Sequence, residues 1–532
     1  METQILKQKI VDMINTGIFE EDLVASVINA SESNEDLQIN TLMARLYSNW
    51  GNQLGIKAKV NGIANSDSFF YKAFEKFEKA SKLDPNNHTI LNNWGIFLGY
   101  QMQTLNLTES DKIKAEMLDK FEASAKLNPT DYQTYLLWGT HVAKLAGISL
   151  KENSEKYYSQ AFELFQKAIK LAPENHQAYY FCGYYQLKHA ERELPELRME
   201  SIKLAISFFE NALILKSNFC QAFHYWGKAL AMQTELEPKL NTRKLFEQAI
   251  SKFECAIEIK SSEHKLWSDF SELLSKQAKS KVVNPDDTFK LAYEKIDRAM
   301  SLKSGNFDAY YHWGRCLMIE AEMLDDEESL GKYSEAITKF KEAIELNSKH
   351  YNSYLSWADC LSEQAKINST FDDETDDYLQ AFSLKTLANF NDSYKSLDKL
   401  KRKNGFEELS TQELFEQAFE VYDKSINPMA KYYRSFMNWG KSLKEHVDIL
   451  QAENSTTDFE NEVNRFIKKL DNFFGLYGIA SEYAHYNEDE CALFFLGYSL
   501  DKNLINSDVI KNDPIWERFT ENTKFQELFN KH

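Results

Sequence analysis

The sequence predicts an all-α protein, a solenoid built from antiparallel helix pairs stacked in chain order. Three observations predict this fold class. A Trp-Gly pair or a close variant recurs at nearly constant spacing, and an Ala, Phe, Ala triplet at steps of four and three residues follows it by 22 or 23 residues. The chain of 532 residues also contains 27 Tyr, 36 Phe and 9 Trp but only 8 Pro and 18 Gly. This composition is typical of long packed helices with few sharp turns.

The Trp-Gly motif sets the length of the repeat. Its positions, which we call the ladder, are Trp50-Gly51, Trp94-Gly95, Trp138-Gly139, Cys182-Gly183, Trp226-Gly227, Phe270-Ser271, Trp313-Gly314, Trp357-Ala358 and Trp439-Gly440. The intervals are 43 or 44 residues as far as Trp357, and the last is 82 residues. We expect the ladder indoles to lie in the core, with each Gly allowing a neighbouring helix to pack against bare backbone.

The triplets predict the second helix of each repeat. They are Ala73, Phe77, Ala80; Ala161, Phe165, Ala168; Ala205, Phe209, Ala212; Ala249, Phe253, Ala256; Ala292, Ile296, Ala299; and Ala336, Phe340, Ala343. Steps of four and three residues place the three side chains on one face of a helix, which we call the stripe. Small residues on either side of an aromatic ring predict close approach of a neighbouring helix.

Proline and capping residues mark the expected helix ends. Pro85, Pro129 and Pro173 follow stripes, and each predicts the end of a helix pair because proline cannot continue a helix. Ser154 and Asn284 are expected to start the second helix of their repeats, the latter with proline as the next residue.

Taken together, the motifs from Tyr135 through the stripe of Phe165 to Pro173 resemble the tetratricopeptide repeat, although the repeat is 44 residues long instead of the family's 34. The resemblance implies a right-handed superhelix in which the first helix of each pair lines a concave groove. It also implies that this groove binds protein or peptide segments.

The repeat register predicts five regions. Residues 1–40 form N-terminal capping helices, and residues 41–365 form repeats 1–7 with the first helix of repeat 8. Residues 366–410 form an insertion that is partly helical with mobile flanks. Residues 411–458 form the second helix of repeat 8 and the first helix of repeat 9, and residues 459–532 form C-terminal capping helices.

Charge and composition exclude several function classes. The net charge of −19 opposes binding to nucleic acid, so no nucleic-acid partner is expected. No stretch approaches 18 apolar residues and the first 17 residues lack the pattern of a secretory signal, which predicts a cytoplasmic chain without a transmembrane segment. The six cysteines stand singly, and no phosphate loop or catalytic motif is present. We therefore expect no metal, no cofactor and no catalytic residues.

The candidate binding residues lie two before and two after the ladder aromatic, because by analogy with the family this face lines the groove. In repeats four to seven the candidates for protein binding are Tyr180, Tyr184, His224, Lys228, Glu272, Tyr311 and Arg315. Aromatic and Arg side chains are frequent anchors of protein interfaces.

The site by which some family members hold a C-terminal carboxylate is not expected here. Asn52 and Asn93 fit that pattern, but Ser48, Gln133 and Leu137 stand where it requires cations. Binding to the C-terminal tails of chaperones is therefore not predicted.

The sequence predicts a non-catalytic intracellular scaffold or adaptor that binds protein segments along its groove. A structural subunit of a larger multiprotein complex is the first alternative. A non-catalytic subunit of an enzyme, of the kind found in prenyltransferase-type α-solenoids, is the second, although the order of the two motifs differs from theirs.

Overall fold

The computed structural model describes most of the chain as helix. The described residues are 2–19, 21–32, 36–60, 63–102, 107–149, 151–193, 195–236, 239–348, 350–382, 410–425, 433–452, 460–470 and 475–531. Throughout these ranges the regular structure is helical, without a β-strand. The all-α class predicted from the two motifs is therefore confirmed.

The chain divides into two compact units. The N-terminal unit is residues 1–185, and the C-terminal unit is residues 186–427 with 431–532. The helices up to the division are α1 (Glu2–Thr16), α2 (Glu21–Glu32), α3 (Leu37–Val60), α4 (Ile63–Leu83), α5 (His88–Gln101), α6 (Leu107–Leu127), α7 (Tyr132–Ile148), α8 (Lys151–Leu171) and α9 (His176–Ala190), which contains the division.

The remaining helices lie in the C-terminal unit. They are α10 (Pro195–Leu215), α11 (Cys220–Gln233), α12 (Lys239–Ile259), α13 (His264–Lys279), α14 (Pro285–Leu302), α15 (Phe307–Ala321), α16 (Asp326–Leu346), α17 (Tyr351–Phe382), α18 (Thr411–Ser425), α19 (Tyr433–Ala452), α20 (Glu460–Leu470), α21 (Gly475–His485), α22 (Asp489–Asp501), α23 (Ser507–Lys511), a 3₁₀ helix (Pro514–Phe519) and α24 (Thr523–Lys531). None of the described helices combines the length and apolarity needed to span a membrane.

Consecutive helices pack as pairs, and the first helices of successive pairs contact each other. In the N-terminal unit the pairs are α3 with α4, α5 with α6 and α7 with α8; in the C-terminal unit they are α11 with α12, α13 with α14, α15 with α16 and α17 with α18. The first helices α3, α5 and α7 form one layer, and α11, α13, α15 and α17 form another. Each unit is thus a tetratricopeptide-like stack of helix pairs, and we call these two sets of helices the first-helix layers.

The stripe residues form the core of each pair. Every residue of the six triplets is at most 1% exposed, and so are Met117, Phe121 and Ser124 in the degenerate second repeat. Burial of these side chains contributes to the apolar area that holds each pair together.

The ladder glycines receive the stripe rings directly. A Cβ added at Gly139 would lie 2.7 Å from Cε1 of Phe165, and one added at Gly227 would lie 2.7 Å from Cδ2 of Phe253. Carbon atoms cannot approach this closely, so only glycine permits the contact. The same contact is made between Gly51 and Phe77, Gly95 and Phe121, and Gly314 and Phe340.

The expectation that the ladder indoles lie in the core is wrong for most of them. Trp50, Trp94, Trp138, Trp226, Trp313 and Trp357 are only partly buried, whereas Trp439 is fully buried. The partly buried rings lie at the rim of the core, and a lysine ammonium covers five of them. The distances from Nζ to the ring centre are 4.4 Å for Lys76 over Trp50, 4.2 Å for Lys120 over Trp94, 3.9 Å for Lys252 over Trp226, 4.3 Å for Lys339 over Trp313 and 4.8 Å for Lys341 over Trp357.

Predicted helix ends are confirmed at the prolines and at Asn284. Helices α4, α6 and α8 end at Leu83, Leu127 and Leu171, each two residues before the proline that predicted the helix end. Asn284 caps α14, and its side chain accepts hydrogen bonds from the backbone N–H groups of Asp286 and Asp287. The predicted start at Ser154 is wrong, because α8 begins three residues earlier and Ser154 is buried within it.

The predicted insertion falls partly outside the described residues. Residues 366–382 continue α17, whereas residues 383–409 are not described. On the far side of this segment α18 packs against α17, and Ala418 and Tyr422 share a buried core with Ala358.

Candidate functional site

The predicted binding residues all lie on first helices, but they do not form one uniform set. Tyr180 and Tyr184 lie on α9 within the N-terminal unit, are partly buried, and have ring centres 6.2 Å apart. The other five lie in the C-terminal unit. His224 and Lys228 lie on α11, Glu272 on α13, and Tyr311 and Arg315 on α15.

In the C-terminal unit, a row of alternating charge follows the ladder. The residue after each ladder Gly, Ser or Ala is charged on four successive first helices: Lys228, Glu272, Arg315 and Asp359. All four side chains are partly exposed. We call these four residues the charged row.

Asp269 is the buried anchor of the row, although the sequence reasoning did not select it. Its carboxylate accepts from Lys228 Nζ at 3.0 Å, and its Oδ2 lies 2.7 Å from His224 Nε2. Burial alone would raise the pKa of Asp269, but the Lys228 ammonium and the His224 ring outweigh it and hold that pKa well below its usual range. Asp269 is therefore ionised at neutral pH and fixes Lys228 in place.

His224 is consequently a structural residue of the site. Its side chain is buried, so His224, which was predicted to bind a partner, lies below the surface. Burial lowers the pKa of His224 despite its contact with Asp269, which favours a neutral ring at pH 7.

Glu272 links the next two helices of the row. Its Oε2 lies 3.2 Å from His312 Nδ1, and its Oε1 lies 3.9 Å from Lys276 Nζ and 4.0 Å from Arg315 Nη2. Burial would raise its pKa, but the contacts with His312 and Lys276 lower it below the usual range. The Glu272 carboxylate therefore carries a full negative charge that orients Arg315.

Asp359, at the end of the row, is held by neutral donors. Tyr422 Oη donates to its Oδ1 at 2.8 Å, and Asn438 Nδ2 donates to the same oxygen at 3.0 Å. Burial raises the pKa of Asp359 to about 6, because these donors and Arg315 compensate only in part. This end of the row therefore loses its charge under mildly acidic conditions.

A metal could find three ligands in this network. Carboxylate oxygens of Asp269 and Glu272 and a ring nitrogen of His312 lie within 4.8 Å of one another. However, Lys228 contacts Asp269, and Lys276 and Arg315 lie near Glu272, so a divalent cation would have to displace amine or guanidine groups. The three side chains therefore form part of an ion-pair network with these cationic groups.

The N-terminal unit presents a different surface at the equivalent positions. The residues after its ladder glycines are Asn52, Ile96, Thr140 and Tyr184, none of them charged. Asn93 and Ser48, weighed above for carboxylate binding, hydrogen-bond to each other at 3.4 Å. The charged row is therefore a property of the C-terminal unit.

Comparison with known proteins gives one family match. A model of the plant-specific mitochondrial import receptor subunit TOM20 matches residues 65–207, less than half of the chain. A search of the curated proteins finds no match.

Solved structures with similarity to the chain include tetratricopeptide repeat proteins. One from Parabacteroides merdae is 13% identical, with a TM-score of 0.37 over 58% of this chain and 97% of its own. TTC0263 from Thermus thermophilus is 16% identical, with a TM-score of 0.33 over 43% of this chain and 98% of its own. YrrB, described as having an unusual peptide-binding site, is 17% identical, with a TM-score of 0.27 over 44% of this chain and 95% of its own. Because each TM-score is below 0.5, the fold assignment rests on the helix pairs and the repeat register described above.

Proposed function

We propose that this chain is a non-catalytic scaffold or receptor of the cytoplasm that binds a protein segment along the first-helix layer of its C-terminal unit. The charged row carries the proposal. Four partly exposed side chains of alternating sign stand on adjacent helices, and the row's first three members are held by ion pairs to buried or half-buried partners. Side chains fixed in this way lose little conformational entropy when a partner binds.

The family match supports the same class of function. TOM20 is by its description a receptor subunit for mitochondrial import, and the described helices within the matched residues 65–207 pack as pairs like those of the C-terminal unit. We extend from this only the class, a receptor or scaffold for proteins, to the present chain. A partner segment with charges opposite to the row would match it group for group.

Site-specific photo-crosslinking tests the proposal. A photoreactive phenylalanine analogue replaces Tyr311 in the first-helix layer, and in a matched control it replaces Tyr71 on α4, whose side chain is 68% exposed. We expect peptide adducts at position 311 that are abolished by Lys228→Gln with Arg315→Gln. The pair Lys244→Gln with Lys290→Gln, which removes the same charge from exposed positions on second helices, should leave the adducts unchanged. Adducts at position 71 with none at 311 would contradict the proposal.

A structural subunit remains the second candidate because α10 exposes apolar side chains. Ile214 is 79% exposed, Leu197 59% and Leu204 44%, and this is an unusual density of large apolar groups for one surface helix. Copurification of the chain in a stable complex that Leu197→Ser with Ile214→Ser dissociates would favour this function.

A further inference from the structure

Two lysines converge on one tyrosine ring in the first-helix layer of the N-terminal unit. Lys59 Nζ lies 4.3 Å from the centre of the Tyr100 ring, and Lys144 Nζ lies 5.1 Å from it. The three residues come from α3, α5 and α7, the first helices of three successive pairs. We call them the lysine pair site.

Two glycines bring these helices close enough to form the site. A Cβ on Gly55 would overlap the ring of Phe97, and a Cβ on Gly99 would overlap the ring of His141. These contacts draw α3 and α7 against α5 on either side of Tyr100. Lys59 lies one turn after Gly55, so the close approach of α3 and α5 places the Lys59 ammonium group near the Tyr100 ring.

Among the described residues, no carboxylate neutralises the positive charge of the site. In the part of the chain that the structure describes, neither Lys59 nor Lys144 forms an ion pair with a carboxylate. The contrast with the C-terminal unit is direct, because Lys228, Lys276 and Arg315 each approach an acidic group there. The chain has 81 acidic residues against 62 basic ones, so a lack of carboxylates is not the reason.

The electrostatics of Lys144 agree with this geometry. Burial lowers the pKa of Lys144; Tyr100 acts in the opposite direction, and repulsion from Lys59 adds a smaller lowering effect. His141, which is fully buried beside Tyr100, has a pKa lowered by burial to about 3 and contributes no positive charge at pH 7. The unrelieved charge of the site is therefore that of two ammonium groups over an aromatic ring, and a bound anion would stabilise both.

We propose that Lys59, Tyr100 and Lys144 bind the carboxylate side chains of a short acidic segment of a partner protein. This rests on the proposed function in so far as the partner is a protein. The net charge of −19 repels extended anionic surfaces at long range, whereas a short segment can meet the two ammonium groups alone. The site lies beyond the positions compared above with the C-terminal carboxylate site, and it requires acidic side chains, not a chain terminus.

The test measures binding of a fluorescein-labelled peptide of alternating Glu and Gly to the full chain by fluorescence anisotropy. We expect saturable binding that weakens as salt is added, and a loss of at least about tenfold in affinity for Lys59→Gln with Lys144→Gln. Lys57→Gln is the matched control, because Lys57 lies on the same helix, is exposed and approaches no ring. It should bind like the unmodified chain.

A second measurement needs no variant. Saturating peptide should protect Lys59 and Lys144, but not Lys57, from acetylation by an N-hydroxysuccinimide ester, read by mass spectrometry. Absence of peptide binding, equal binding by the double variant, or competition by inorganic phosphate as strong as that by unlabelled peptide would overturn the proposal. Adducts at position 311 without peptide binding here would leave the proposed function standing and remove only this site.

Discussion

At the scale of single residues, the contact between a ladder glycine and a stripe ring is the smallest unit that defines the fold. It recurs in five helix pairs, and in each the ring follows the glycine by 26 residues. Because the ring occupies the space of a Cβ, a larger residue at these glycines displaces the ring or the second helix that carries it.

Substitution at Gly314 tests this contact. A Cβ there would lie 2.5 Å from Cε1 of Phe340, so Gly314→Ala should lower the free energy of unfolding by about 1–3 kcal/mol. Gly331→Ala is the control, because no atom lies within 4 Å of its added Cβ and alanine favours the interior of α16. It should raise stability by about 0.5–1 kcal/mol in urea titrations. Equal effects of the two substitutions would show that the ring does not depend on the glycine.

The ladder and the stripe could be predicted from the sequence because identical residue types recur at fixed spacing. The burial of individual side chains could not. A periodic Trp is compatible with the core and with its rim, since both are partly apolar. The distinguishing signal lies in the stripe, where Lys directly precedes Phe at 76–77, 120–121, 252–253 and 339–340. That lysine reaches the indole of the first helix and marks the ring as accessible.

At the scale of helices, the ion-pair network includes two residues that lie one position away from those predicted to bind a partner. Asp269 and His312 stand one residue before their ladder aromatics, not two. Positions one before and two after the aromatic are three residues apart and share a face of the helix. Of the positions two before it, His224 and Ser268 are buried, whereas Tyr180 and Tyr311 are only partly buried. Helix geometry, applied to the aligned repeats, would have found the charged face.

A lysine that covers a ladder indole within one helix pair should stabilise the packing of that pair. Lys252 Nζ lies 3.9 Å from the centre of the Trp226 ring, so Lys252→Gln should cost about 0.5–1 kcal/mol of unfolding free energy. Lys244→Gln on the same helix removes an equal charge from an exposed position without a ring and should change stability by less. Chemical denaturation of both variants measures the difference, and an equal loss would assign the effect to net charge alone.

At the scale of the whole molecule, each of the two units encloses a histidine that is costly to protonate. Burial lowers the pKa of His141 in the N-terminal unit to about 3 and that of His446 in the C-terminal unit to about 4. The ring of His446 stacks on Phe415, with centres 4.7 Å apart.

Both histidines should make the protein sensitive to acid. In the unfolded chain they take up protons near pH 6.5, whereas in the folded chain they stay neutral down to about pH 4. The stability that the two neutral histidines contribute is therefore fully present above pH 6.5. It falls as the pH drops below 6.5, by up to about 1.4 kcal/mol per pH unit for each histidine. Urea titrations between pH 7 and pH 5 should show a shallower fall for His141→Gln with His446→Gln. An unchanged slope would assign acid sensitivity to other groups.

The constant distance from glycine to ring also shows where the molecule can gain length. In the pair of α17 and α18, 64 residues separate Ala358 from Tyr422, yet both remain buried in the same core. The connection between the two helices of a pair can thus contain inserted residues without disturbing the packing of the pair. The exposed turn around Lys281, between α13 and α14, offers the same opportunity for grafting a fluorophore or an affinity tag.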